Sequence, residues 1–208
     1  AWIAIERTFK RPSPPILFSI QGPAGKRVRT DPNEYAISPD GTTLAFIAHD
    51  STGQSLWVRG LGDFRQRELP GTTDASQPFW SPDSRQIGFF ADGMMKRLGL
   101  GGEEPQVICA AHNPKGAAWG RRDVIVFSTG GGPLSRVPAA GGTPETVTQL
   151  DTTAGVNEHV WPSFLPDGQH FTYVARRKES FESGNVPRKG PWTSYVGSIR
   201  SMKAESLL

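Results

Sequence analysis

The residues able to do chemistry are few and scattered. The four histidines stand at positions 49, 112, 159 and 170. None falls in a His-Glu-x-x-His segment or another spacing that would aim two ligands at one metal ion. Cys109 is the only cysteine, so no intramolecular disulfide can form; the role of a small buried apolar residue suits it better than that of a nucleophile. No Gly-x-Ser-x-Gly segment is present to mount a serine on a nucleophile elbow. Gly99, Gly101 and Gly102, and the run Gly130-Gly131-Gly132, lack the Lys-Ser/Thr and the following helix of a phosphate loop, and read as turn glycines.

Asp40, Asp83 and Asp167 invite an acid–base reading, but each follows a proline in the same kind of turn. Ser38-Pro39-Asp40-Gly41 recurs as Ser81-Pro82-Asp83-Ser84 and as Leu165-Pro166-Asp167-Gly168. From Asp40 to Asp83 is 43 residues, and from Asp83 to Asp167 is 84, two steps of 42. A degenerate copy lies midway, Trp119-Gly120-Arg121-Arg122-Asp123, one residue shorter. Carboxylates equivalent by repeat sit in separate units, whereas general acid–base chemistry needs two of them on one bond. Asp40, Gly41, Asp83, Asp167 and Gly168 are therefore read as structural turn residues. No catalytic residue, metal site or cofactor is expected.

The surroundings of the turn repeat too. An apolar residue precedes each: Ile37, Trp80, Trp119 and Phe164. A nearly continuous apolar run follows each: Leu44–Ala48, Ile87–Ala91, Val124–Ser128 and Phe171–Ala175. Such runs suit strands covered on both faces. Third elements follow at Leu56–Arg59, Met95–Leu98, Leu134–Val137 and Tyr195–Ile199, and fourth ones at Arg67–Leu69, Gln106–Ile108, Glu145–Val147 and Glu205–Leu207. These alternate apolar with polar, as partly exposed strands do. Glycine (24) and proline (18) punctuate the runs without a collagen period, which marks many tight turns. Four short strands per period of ~40–45 residues predict an all-β chain, a β-propeller with four four-stranded antiparallel blades. The units are 31–74, 75–112, 113–157 and 158–208. The fourth carries an insertion, Arg177 to Trp192, between its second and third strands, expected as a solvated surface loop.

Ring geometry sets first strands around a central channel, with the loops entering them at one mouth. Those entries lie at Asn33-Glu34, Ser76-Gln77, Lys115-Gly116 and Glu158-His159. Glu34, Gln77, Lys115 and His159 are the candidate ligand-binding residues, for a protein or small-molecule ligand. The net charge of +3 divides unevenly: residues 1–30 carry +5 and the other 178 carry −2. A nucleic-acid binder would bear its basic stripe on the folded body, so no nucleic-acid partner is expected. No run reaches the ~20 apolar residues of a membrane helix.

Three segments are similar to a known group. They are Phe79–Ala91, Arg136–Pro144 and Trp161-Pro162-Ser163-Phe164-Leu165-Pro166-Asp167-Gly168. The repeat resembles the WD40-like (TolB-type) propeller repeat, and these wider segments resemble the extracytoplasmic propeller of bacterial, notably acidobacterial, receptor-type serine/threonine protein kinases. The resemblance spans residues 16–208. It implies a non-catalytic sensing or protein-interaction module at the periplasmic or extracellular face of a membrane. It also implies an order at the N-terminus: Ala1–Ile5 as the end of a membrane helix, Arg7–Pro15 as a basic linker, and Ile16–Ile20 as a first strand. The kinase motifs themselves are absent from this chain, which has neither a kinase Gly-rich loop nor a His-Arg-Asp segment. Relatives generally carry more than four blades, so the chain is expected to be part of a larger propeller, with missing blades or a partner at its open edge. Two other readings stay open: the gating propeller of a prolyl-oligopeptidase-like serine peptidase, and a free TolB-like periplasmic scaffold.

Overall fold

Short apolar runs cut by Gly, Pro and Asp leave no length for a helix, and the chain folds as antiparallel sheets. The computed structural model describes residues 19–206 except 32, 63–64, 178–179, 183–185 and 189–191. The first sheet contains β1 (Arg27–Val28), β2 (Tyr35–Ile37), β3 (Thr43–Asp50), β4 (Gly53–Gly60) and β5 (Gln66–Glu68). The second holds β6 (Ser76–Trp80), β7 (Gln86–Ala91), β8 (Met94–Gly99) and β9 (Gln106–Ala110). The third holds β10 (Ala117–Trp119), β11 (Val124–Phe127), β12 (Ser135–Pro138) and β13 (Glu145–Thr146). The fourth comprises β14 (Val156–Phe164), β15 (His170–Arg177), β18 (Thr193–Ser198) and β19 (Ser201–Ser206); between β15 and β18 lies the hairpin β16 (Ser180–Glu182) and β17 (Val186–Arg188). Within each sheet the four repeat strands pair in sequence order, the meander of a propeller blade.

Successive strand residues point to opposite faces, so each covered sheet feeds two cores. Ala45 and Ile47 of β3 pack with Ile87, Phe89 and Ala91 of β7 between the first two blades. The other face of β7 gives Phe90, which joins Met95, Cys109, Ile125 and Phe127 between blades two and three. Val126 joins Phe171 and Tyr173 between blades three and four. Phe46, Phe89, Phe127 and Phe171 are all fully buried. Each such ring contributes ~1.5–3 kcal/mol of apolar burial. Cys109 lies in this core, and burial pushes its thiol up to about 11.

The outer face of blade one is also covered. Leu44, Phe46 and Ala48 meet Ile20, Val28, Trp57 and Leu61. The N-terminal segment is fastened over them by β1 pairing with β3, by Lys26 Nζ on Asp50 at 2.7 Å, and by Arg59 Nη1 donating to the Ser19 carbonyl. The extra strand paired to β3 is Arg27–Val28; of the strand that the resemblance implied over Ile16–Ile20, residues 16–18 lie outside the described residues, and Ser19 and Ile20 belong to no strand. β1 takes the part of the β3 edge that the three-residue β2 leaves open. The implied membrane-helix end at Ala1–Ile5 and linker at Arg7–Pro15 lie outside the described residues.

Two further expectations change. The Arg177–Trp192 insertion was expected as loop, yet Ser180–Glu182 and Val186–Arg188 pair as a hairpin, satisfying their own backbone groups. The second strand of blade four was grouped with the continuously covered runs, yet it alternates: Phe171, Tyr173 and Ala175 are buried, while Thr172, Val174 and Arg176 are only half-buried.

The turns explain the repeated Pro-Asp. In Ser38–Gly41, Ser81–Ser84, Gly120–Asp123 and Leu165–Gly168 the fourth N–H donates to the first carbonyl, at 2.8, 3.0, 3.1 and 2.9 Å. The fourth residue is left-handed each time, with φ of 72° at Gly41, 61° at Ser84, 54° at Asp123 and 64° at Gly168. Asp123 therefore occupies the glycine position, and its carboxylate is not the counterpart of Asp40, Asp83 and Asp167. The missing residue shows in the pairing: Ser38, Ser81 and Leu165 donate to the carbonyl five residues on, and Gly120 to that of Val124.

Candidate functional site

Each first strand enters the sheet through a distorted residue. Gln77, Gly116 and Trp161 occupy equivalent positions, directly before Pro78, Ala117 and Pro162, and all three are left-handed, at φ 49°, 97° and 53°. Glu34 holds this place in blade one, directly after Asn33 at φ 72°. β6 and β14 carry register shifts at Ser76/Phe79 and Val160/Ser163, so the strand bulges as it approaches the axis.

These residues join one blade to the next. The Gln77 N–H donates to Glu34 Oε2 at 3.3 Å. Gln77 Oε1 accepts the Gly116 N–H at 2.8 Å, and Gln77 Nε2 donates to the Pro114 carbonyl at 3.0 Å. The Trp161 N–H donates to the Lys115 carbonyl at 2.9 Å. One bond thus leads from each left-handed residue to the blade before it. Glu34 is almost fully buried; burial raises its carboxyl above the ordinary range, against the lowering effect of the Gln77 N–H and of Arg29. Glu34, Gln77 and Lys115 are brought together as consecutive links of this clasp, Lys115 through its backbone. Gln77 spends both polar atoms of its amide on protein partners, and of the three it alone lines the space beside the clasp.

That space is an axial groove of about 360 Å³. All four first strands line it, with Tyr35 and Ile37 from blade one, Gln77 and Phe79 from blade two, Trp119 from blade three and Phe164 from blade four. Tyr35 and Ile37 are 49% and 52% exposed, large side chains left open to solvent. They are the candidate site residues that spacing alone missed. The usable signal was that the first strand of blade one is short and ends in exposed apolar residues where the other blades place Trp80, Trp119 and Phe164.

His159 stands apart from the groove. It is 3% exposed, its Nδ1 lies 2.9 Å from Thr148 Oγ1, and its ring packs on Tyr173 at 4.6 Å. Burial pulls its imidazole down to about 4, so it is neutral at physiological pH. Its neighbour Glu158 accepts the Gly131 N–H and pairs with Arg176 at 2.7 Å, and Arg176 lies over the Trp192 ring, which stacks on Trp161.

The turn carboxylates are spent locally. Asp40 accepts the Ser38 hydroxyl at 2.6 Å together with the Thr42 N–H and hydroxyl, and Asp83 accepts the Ser81 hydroxyl at 2.6 Å. Asp167 meets His170 Nδ1 at 2.5 Å and accepts two backbone N–H groups. These bonds, that of Ser38, Ser81 or His170 foremost, hold all three carboxyls below the ordinary range.

No family model matches the chain. An uncharacterised protein of Agrobacterium fabrum is 29% identical over 116 residues, which cover 50% of this chain and 37% of that protein. Among solved structures, a putative TolB from Agrobacterium tumefaciens superposes with a TM-score of 0.68 at 18% identity, covering 85% of this chain and 64% of the other. A puromycin-hydrolysing peptidase of Mycobacterium tuberculosis superposes at 0.58 with 16% identity, over 83% of this chain and 28% of that one. The chain therefore spans less than two thirds of either Agrobacterium protein. With the four meandering sheets these likenesses establish the fold, a β-propeller whose neighbours include TolB-like proteins.

Proposed function

We propose that this chain is a non-catalytic propeller segment that recognises a protein or small-molecule ligand in its axial groove, as the extracytoplasmic sensing module of a membrane-bound receptor-type serine/threonine kinase. The observation that carries the binding role is the groove itself, where Tyr35 and Ile37 stand exposed amid polar atoms already used by the blade clasp. Large open side chains in a concave space that also carries polar groups, here Asn33, Gln77 and Ser163, suit a recognition site. The kinase link rests on the sequence resemblance of Phe79–Ala91, Arg136–Pro144 and Trp161–Gly168. Ligand capture would bias the receptor only by binding one of its states more tightly.

The likeness to a peptidase-borne propeller favours a second reading, a gate over a serine peptidase domain. The coding region on both sides of the chain discriminates. A kinase domain and an apolar span before Ala1 supports the sensor. A Gly-x-Ser-x-Gly segment after Leu208 overturns it in favour of the gate, and a cleavable signal peptide with neither domain does so in favour of a free scaffold. In a receptor, Ile37→Asp is expected to leave basal autophosphorylation intact and abolish its response to ligand.

A further inference from the structure

A second cavity, of about 400 Å³, opens between blades three and four. Its walls come from the segment leaving blade three, with Gln149 and Asp151, and from blade four, with Val156, His159, Tyr173 and Tyr195. It shares none of these residues with the axial groove. Clefts of ~300–1,000 Å³ are the usual size of small-molecule sites.

The polar groups here are left over from folding. Tyr173 is 3% exposed and stacked on Tyr195 at 5.6 Å, and among the described residues neither hydroxyl has a hydrogen-bond partner. Both hydroxyls reach accessible space, since Gln66 Oε1 is the one sealed side-chain polar atom without a partner among the described residues. Burial, with Tyr195 beside it, pushes Tyr173 up to about 12, so it stays protonated and able both to donate and to accept. His159 has only Nδ1 engaged, by Thr148, which also accepts the Leu134 N–H at 2.8 Å. Asp151 uses Oδ1 for the Thr153 hydroxyl and the Ala154 N–H, leaving Oδ2 to accept from a ligand. The lining itself contains no Lys or Arg; the charges at its rim are Asp151 and Arg177, which pairs with Val156 and helps to lower the Asp151 carboxyl.

The geometry points to a binding site for a neutral, hydroxyl-rich ring of monosaccharide size. Ligand hydroxyls both donate and accept, as do the phenols and the Gln149 amide, while the Asp151 carboxylate accepts. Val156 and the aromatic edges supply an apolar wall for the C–H face of such a ring.

Saturation-transfer NMR on the purified chain tests this, with D-glucose, D-galactose and N-acetyl-D-glucosamine as probes and D-glucuronate as the anionic control. Transfer to at least one neutral pyranose is expected, in preference to glucuronate. Tyr173→Phe should weaken that binding by about tenfold, the loss of one bond to a buried hydroxyl. Tyr195→Phe, at a less buried position, provides the same reading if Tyr173→Phe fails to fold. Transfer to none of the three sugars, preference for glucuronate, or binding unchanged in both variants overturns the proposal. Ile37→Asp should leave sugar binding intact, which separates the fate of this site from that of the axial groove.

Discussion

Blades one and four each turn a face away from the other blades, and they treat it in opposite ways. In blade one Leu44, Phe46 and Ala48 are at most 1% exposed beneath Ile20 and Val28. In blade four the outward face of β15, the opposite one by repeat position, offers Thr172, Val174 and Arg176, all half-buried. The same repeat strand is thus apolar on both sides where chain covers it and alternates where it is less covered. Composition of a central strand records whether a sheet has one neighbour or two.

The sharpest test sets those faces against each other. Phe46→Ala should cost ~3–5 kcal/mol by opening a cavity under the N-terminal segment. Val174→Ala should cost less than about 1 kcal/mol at its half-buried site. Urea unfolding measures both, and equal costs would break the comparison.

Next comes pH, because blade four buries a titratable ring where blade one has none. The folded His159 titrates at about 4, below its ordinary 6.5. The unfolded chain therefore binds the proton first, and stability falls as pH drops from about 6.5 through about 4. The loss should be roughly 1–3 kcal/mol. It should vanish in His159→Gln, read from urea midpoints across that window. Below it the lowered carboxyls of Asp40, Asp83 and Asp167 also withdraw stability as they protonate.

The clasp joining the blades is a smaller lever. Gln77→Ala removes two inter-blade side-chain bonds and leaves the Gly116 N–H without its partner, which should cost ~1–3 kcal/mol in the same unfolding assay. The smallest effect belongs to the third turn. Asp123→Gly frees a left-handed position from a Cβ but removes the acceptor of the Trp119 Nε1–H at 3.4 Å, so the two effects should nearly cancel and the melting temperature should hardly move.

The four-bladed pattern was legible because one turn chemistry recurs at one period, and turn residues act locally. Even the shortened third copy kept its place, although only the hydrogen bonds show that Asp123 stands for a glycine. The candidate site was legible only in part. Repeat position, four residues before the turn, sets Glu34 and Gln77 level with Gly116 and Trp161; Lys115 and His159 stand one and two residues short of that level, and no strand pattern reveals the bulges of β6 and β14 there. The prolines at 78 and 162 were the available hint, since a residue without an N–H collects at bulges. What those polar groups touch depended on the neighbouring blade, roughly forty residues away, which no local pattern encodes.

The lone thiol of Cys109 has a practical consequence. It is sealed between blades two and three, and burial keeps it protonated. A maleimide or disulfide reagent can modify it only while those two sheets part, because the thiolate is the reacting form. The molecule thus carries its own stopwatch for blade separation. Any thiol engineered at Ile37 or Tyr195 can be dye-labelled in the folded state against a silent background.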